Sequence, residues 1–228
     1  GKQGKGVPEA FGHEVPVPGL LISAEPAFAN VGVVDSTRDV FWYRSTFQAP
    51  ESISSTALLC LGKAKYGVEV WLNGILLGEH YGAFTQAEFD LADAILWGHE
   101  NEVIVRVGAE RSRLPDFVPS GQDNEKARFI PGIWDDVNLI FTGAQTVVRV
   151  KVETDSESGS VTAITTVRNN SQADVEAVLN HGVREWRSSA ARGNSEPVNV
   201  RLAPMETRTY SQTLVVDEHR LWQLDDPF

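Results

Sequence analysis

The chain has 228 residues, 42% hydrophobic and 22% charged, and carries a formal net charge of −11 from 31 acidic and 20 basic side chains. That acidic balance, with no cluster of Lys or Arg to face phosphates, argues against nucleic acid and against anionic membrane surfaces as partners. No apolar run approaches the roughly 20 residues that span a bilayer, so what stays compatible is a neutral ligand or a structural role.

Residues 1–39 are rich in Pro and Gly (VPEAFGHEVPVPGL) and read as an extended arm. No apolar segment follows GKQGKG, so no signal peptide is expected. From Val40 the texture changes. VFWYRSTFQ puts Phe41, Tyr43, Ser45 and Phe47 on one face of a strand and Trp42, Arg44 and Thr46 on the other. STALLCLG at 55–62 is apolar almost throughout, the pattern of a strand covered on both sides. Its Cys60 is the one cysteine, so no intrachain disulfide forms, and a small buried hydrophobe is the expected role.

GVEVWLN and ILLGEH are joined at Asn73-Gly74. Those two residue types supply the positive φ angles of a type I′ turn, so a hairpin is predicted there. AEFDL at 87–91 is a further strand. LADAILWGHEN predicts a helical turn that stops at Gly98, and NEVIVRVGA at 101–109 alternates as a strand. Residues 110–130 form a long irregular stretch, a length that usually carries function. PGIWDDVNLIF then returns to a strand. Beyond Val147, the segments VVRVKVETD, SVTAITTVRN, ADVEAVLNHGVREW, PVNVRL and TRTYSQTLVV are short strands between turn-formers, the pattern of a small antiparallel sandwich, with 188–197 as a polar loop. The fold class is all-β, in two domains: 1–144 and 145–228.

Local chemical patterns are sparse. Asp135 and Asp136 are adjacent, and neighbours on a regular strand point to opposite faces, so they cannot flank one scissile bond. Asp225 and Asp226 lie at the chain end. The five histidines are scattered without metal-ligand spacing, and His80, just after the hairpin, reads as a hydrogen-bonded rim residue. An oxygen-coordinated Ca²⁺ or Na⁺ in the 110–130 loop is not demanded by anything there, and no cofactor is called for. The triplet Asn169-Asn170-Ser171 matches a glycosylation acceptor that is common by chance. Six tryptophans offer flat faces for sugar rings but sit more often in a core. Trp134 follows the irregular loop and is the best platform among them.

FWYRSTFQAP, GVEVWLNGILLGEHYGAFTQAEFDL and PGIWDDVNL occur in that order, and together they resemble the N-terminal sugar-binding domain of family 2 glycoside hydrolases, which include β-galactosidases, β-glucuronidases and β-mannosidases. Residues 146–228 resemble the immunoglobulin-like domain that follows it there, and LWQLDDPF is similar to that family's approach to its catalytic barrel. The resemblance implies a jelly-roll β-sandwich, then an immunoglobulin-like β-sandwich. The catalytic glutamates are expected on a (β/α)₈ barrel that is not among these residues, so the chain alone is expected to be inactive. It implies a carbohydrate (β-glycoside) ligand, the catalytic barrel as partner, and a periplasmic or secreted setting that the residues themselves leave open.

In some members a loop before the Gly-Ile-aromatic strand touches the sugar. Here that stretch is 119–134, with Asp123, Glu125 and Lys126 as polar candidates beside Trp134. The carboxylates can accept from adjacent sugar hydroxyls and Lys126 can donate; a Glu125–Lys126 ion pair that steadies the loop is the equal alternative. The leading reading is a non-catalytic N-terminal region of a retaining β-glycosidase. A free-standing carbohydrate-binding or structural module is the competing one. A docking role further predicts exposed apolar surface near Leu221–Phe228 or along the jelly roll.

Overall fold

The computed structural model describes residues 6–33, 38–119, 128–186, 188, 190–216 and 218–226. They form a strand-built structure with two compact units, residues 1–141 and 142–228.

In the first unit the strands are β1 (Val40–Gln48), β2 (Thr56–Leu61), β3 (Ala64–Lys65), β4 (Val68–Leu72), β5 (Ile75–His80), β6 (Ala87–Asp90), β7 (Glu100–Gly108), β8 (Gly132–Ile133) and β9 (Val137–Thr142). A four-stranded sheet runs β1-β7-β4-β5, a three-stranded sheet runs β6-β2-β9, and β3 pairs with β8. Period-2 alternation turns Val68, Val70 and Leu72 of β4 and Val103, Val105 and Val107 of β7 inward. There they meet Leu59 and Leu61 of β2 and Phe89 of β6 in one core. All-apolar β2 is buried along most of its length, Cys60 included, and burial pushes its thiol pKa up, so it behaves as a hydrophobe.

The Asn73-Gly74 hairpin forms as the sequence predicts, with φ of 50° and 82° at its two central residues. Asn73 does more than turn the chain. Its Oδ1 accepts from Glu102 N at 2.9 Å, and its Nδ2 donates to Ala94 O and to Asn101 Oδ1, each at 2.8 Å. Residues 91–95 make a single uncontinued helical turn, Ile95 N donating to Leu91 O, with Gly98 at φ 72° in the turn that follows. PGIWDDV departs from the single expected strand: β8 and β9 are separated by a bend at Trp134–Asp136.

In the second unit β10 (Gln145–Asp155), β11 (Ser160–Asn169) and β16 (Thr207–Val215) form one antiparallel sheet, while β12 (Val175–Leu179) pairs with β15 (Val198–Leu202) and β13 (Gly182–Arg184) with β14 (Ala191–Asn194). β14 lies inside the stretch expected to be a polar loop. Gly193 makes it possible, because a Cβ there would stand 2.5 Å from Val215 O. Two polar clusters, one around His181 and one around Asn169, are buried among the described residues of this unit. Thr165 Oγ1 and Gln212 Oε1 each lie 2.7 Å from a ring nitrogen of His181, Nε2 and Nδ1 respectively. A neutral imidazole protonated on Nδ1 satisfies both, donating to Gln212 and accepting from Thr165. Asn169 anchors the other. Its Nδ2 donates to Ala173 O and Ala203 O, and its Oδ1 accepts from Ser171 N and Ser171 Oγ.

Candidate functional site

The sequence singled out the approach to the Gly-Ile-Trp strand, and the structure shows what that strand is built against. The backbone of the arm docks on it: Gly19 N donates to Ile133 O at 2.8 Å and Leu21 N to Pro131 O at 3.0 Å. Gly132 is required by that approach, since a Cβ there would lie 2.6 Å from Gly19 O and 2.8 Å from Leu20 Cα. Past Ile133, Trp134 N donates to Lys63 O and Asp136 O accepts from Gly62 N, which fastens the bend to the 62–65 segment.

The bend brings together side chains from three parts of the sequence. Lys63 Nζ donates to Asp135 Oδ2 at 2.6 Å and stands 5.1 Å from the centre of the Trp134 ring, a cation–π arrangement. Phe84 meets Trp134 edge-on, with ring centres 5.6 Å apart and planes at 72°. Gly62 leaves room for this, because a Cβ there would sit 2.9 Å from Asp135 Cγ. The Lys63 ammonium, then the Asp136 backbone amide, hold the Asp135 carboxyl below the ordinary carboxylate range, so it is ionised at neutral pH. Trp134 is half-buried, and its Nε1 is buried with no partner among the described residues. Phe84, at 51% exposed, is therefore the more accessible aromatic face of the pair.

The neighbouring loops add to the same end of the unit. Gly67 at φ 74° packs against both Tyr81 and Leu114, and Tyr81 donates to Glu79 Oε2 at 2.7 Å. Tyr66, Leu114 and Val118 form a small core with Phe129 beneath them. His80 Nε2 lies 2.9 Å from Thr85 Oγ1 and steadies the loop that carries Phe84. Among the described residues no group of three or more His, Cys, Asp or Glu is gathered as a metal site, and no helix is long and apolar enough to cross a membrane.

Of the four residues selected from the sequence, Trp134 is in this cluster, and Asp123, Glu125 and Lys126 lie outside the described residues. Lys63, Asp135 and Phe84 were not selected. Phe84 sits inside the matched segment GAFTQAEFD, so the signal for it was present in the motif. Asp135 is on a bend, not a strand, and its partner Lys63 is 72 positions away, which no local pattern reveals.

Comparison with known proteins agrees with these motifs. Residues 26–112 match the family model of the β-galactosidase second all-β domain. A β-glucuronidase of Paenibacillus borealis is 32% identical over 101 residues, covering 42% of this chain and 17% of that protein. A β-glucuronidase of Bacteroides fragilis is 26% identical over 212 residues, covering 88% of this chain and 29% of that protein. The chain thus spans less than a third of the length of either relative. A solved family 2 glycosyl hydrolase from Bacteroides cellulosilyticus superposes with a TM-score of 0.68 at 19% identity, over 82% of this chain and 25% of that one, which establishes a shared fold. Residues 26–112 are thus similar to an all-β domain of β-galactosidases, and the chain as a whole shares its all-β fold with a solved family 2 glycosyl hydrolase.

Proposed function

We propose that this chain is the non-catalytic, jelly-roll and immunoglobulin-like region of a retaining β-glycosidase, with its domain boundary near residue 144, and that it supports a catalytic (β/α)₈ barrel and supplies one wall of the glycone pocket. The observation that carries the reading is the Phe84–Trp134–Lys63–Asp135 cluster at the loop end of the first unit. An accessible aromatic face beside a fixed charge pair suits a pyranose ring, which stacks its C–H face on the aromatic and directs its hydroxyls to the charges. The loop holding Asp123, Glu125 and Lys126 joins directly to this cluster in sequence.

Exposed apolar side chains support a docking role. Trp222 is 59% and Leu224 90% exposed within the LWQL segment, and Phe117 is 84% exposed on a loop of the first unit. Surfaces of this kind suit contact with another domain.

The test combines turnover with titration. The purified chain is incubated with aryl β-galactoside, β-glucuronide and β-mannoside, then titrated calorimetrically with the corresponding free sugars. No hydrolysis and no more than millimolar binding are expected, because the pocket is shared with the barrel. Micromolar binding by the chain alone favours a free-standing carbohydrate-binding module instead. Hydrolysis by the chain alone refutes the proposal.

A further inference from the structure

A cavity in the first unit is lined by none of Lys63, Phe84, Trp134 and Asp135, although Ile133 and Val137, which flank their bend, stand in its wall. It has a volume of about 640 Å³ and runs along β1, which pairs with β7 in the four-stranded sheet. Its depth is apolar, made by Leu59 and Leu61 of β2, Val103 and Val105 of β7, and Ile133 of β8. Tyr43 contributes its ring, since its hydroxyl is buried beyond water's reach. The outer wall is the arm, where Phe11 and Val15 face across to β1.

The rim is positively charged. Arg44 holds its guanidinium 4.6 Å from the centre of the Phe11 ring, and Arg38 holds its own 5.0 Å from the Phe41 ring and 5.6 Å from the Phe28 ring. Arg38 Nη1 also donates to Ala29 O at 2.8 Å, which fixes it in place. Neither arginine has an ion pair among those formed by the described residues. Of the other titratable side chains lining the cavity, Glu14 carries the opposing charge, and His13 stacks on Phe28 at 3.6 Å. In a protein of net charge −11, two arginines on aromatic faces at the mouth of an apolar cavity form a local exception. A guanidinium stacked on a ring keeps its in-plane N–H donors free for a bidentate acceptor. The volume falls within the range of pockets that enclose small ligands.

We propose that this cavity binds an amphiphilic monoanion, an aromatic or aliphatic body in the apolar depth with its carboxylate or sulfonate on Arg44, while Arg38, farther along the lining, adds to the positive field. None of its lining residues belongs to the Phe84–Trp134–Lys63–Asp135 cluster, and the proposal does not depend on the glycone reading.

Two fluorescent probes that differ by one sulfonate test it on the intact chain: 8-anilinonaphthalene-1-sulfonate and the neutral N-phenyl-1-naphthylamine. Both are expected to bind at one site per chain with a blue-shifted emission. Only the sulfonate should lose affinity as salt is raised. Arg44→Met should weaken the sulfonate by about tenfold and the neutral probe by less than about twofold, the loss of one charge-assisted contact. Glu14→Gln should tighten the sulfonate alone. Val105→Phe, which fills the cavity, should exclude both; its folding is checked by near-ultraviolet circular dichroism, and the salt and Arg44 tests stand without it. Absence of saturable binding of the neutral probe overturns the proposal. So does sulfonate binding that is indifferent to salt and to Arg44→Met.

Discussion

Replacing Asn101 by alanine removes a fully buried side chain that makes four hydrogen bonds. Its Oδ1 accepts from Leu96 N at 2.7 Å and Asn73 Nδ2 at 2.8 Å, and its Nδ2 donates to His99 O at 2.8 Å and Leu96 O at 3.0 Å. The two carbonyls keep backbone donors, Leu96 O that of His99 N and His99 O that of Ala49 N. The two donors lose the acceptor they share. At about 1–3 kcal/mol for each buried group left unpaired, the loss is about 3–4 kcal/mol. For a unit of this size that lowers the melting temperature by roughly 10 °C.

Asn101→Asp keeps the shape but sets an oxygen against two carbonyl oxygens, so at neutral pH it should cost more than alanine. Burial raises that carboxyl above its unfolded pKa of about 3.9. The protonated form can donate to one carbonyl, so stability relative to Asn101→Ala is fully present below the unfolded pKa and is lost as pH rises through the raised folded value. Scanning calorimetry of the wild type and both variants from pH 3 to pH 8 reads this directly. An alanine variant that melts within about 3 °C of wild type, or an aspartate variant that tracks alanine at every pH, refutes the argument.

Gly132→Ala should displace the arm from the Gly-Ile strand, destabilise the first unit by about 2–3 kcal/mol and speed chymotryptic cleavage at Phe11 and Phe28; unchanged cleavage contradicts the packing described. The Asp135 carboxyl, held down by Lys63, should stabilise the bend above its unfolded pKa and cease to do so as pH falls through its lower folded value. Lys63→Met should move its NMR-titrated pKa up toward the ordinary range, and no movement would remove the ion pair as the cause. Thr165→Val leaves His181 Nε2 without its donor at nearly constant volume. About 1–2 kcal/mol should be lost, read as faster hydrogen exchange in β11, whereas an unchanged exchange rate would mean the buried polar chain contributes nothing.

Much of this fold was legible because its strands follow period-2 alternation and its turns use residues with one physical purpose. Asn73-Gly74 is the clearest case, the two positive φ angles being where the pair predicts them. β14 was not legible, because Ala191–Asn194 lacks the branched and aromatic residues of an ordinary strand, and Gly193 is there for its lack of a side chain. The bend at Trp134–Asp136 escaped for a similar reason. Its sequence alternates like a strand, and the backbone pairing with Gly62 and Lys63 that breaks it is long-range. In the cluster, Trp134 was selected for its position after the loop, and Phe84 was quoted within a motif without being singled out. The Asn101 network and the Lys63–Asp135 pair show the common limit: polar partners distant in sequence become visible when the sheets bring them together.

The sealed environment of Asn169 sets a rule for producing this protein. Its amide is the acceptor atom of an Asn-Asn-Ser sugar-attachment triplet, yet that amide is enclosed by Ala173 and Ala203 in the finished structure. An oligosaccharyltransferase reaches it only on the unfolded nascent chain, and a glycan attached then blocks closure of the second unit. Expression through a eukaryotic secretory route should therefore split the product into an unmodified folded pool and a glycosylated pool retained by quality control, whereas a host without that enzyme yields the first alone.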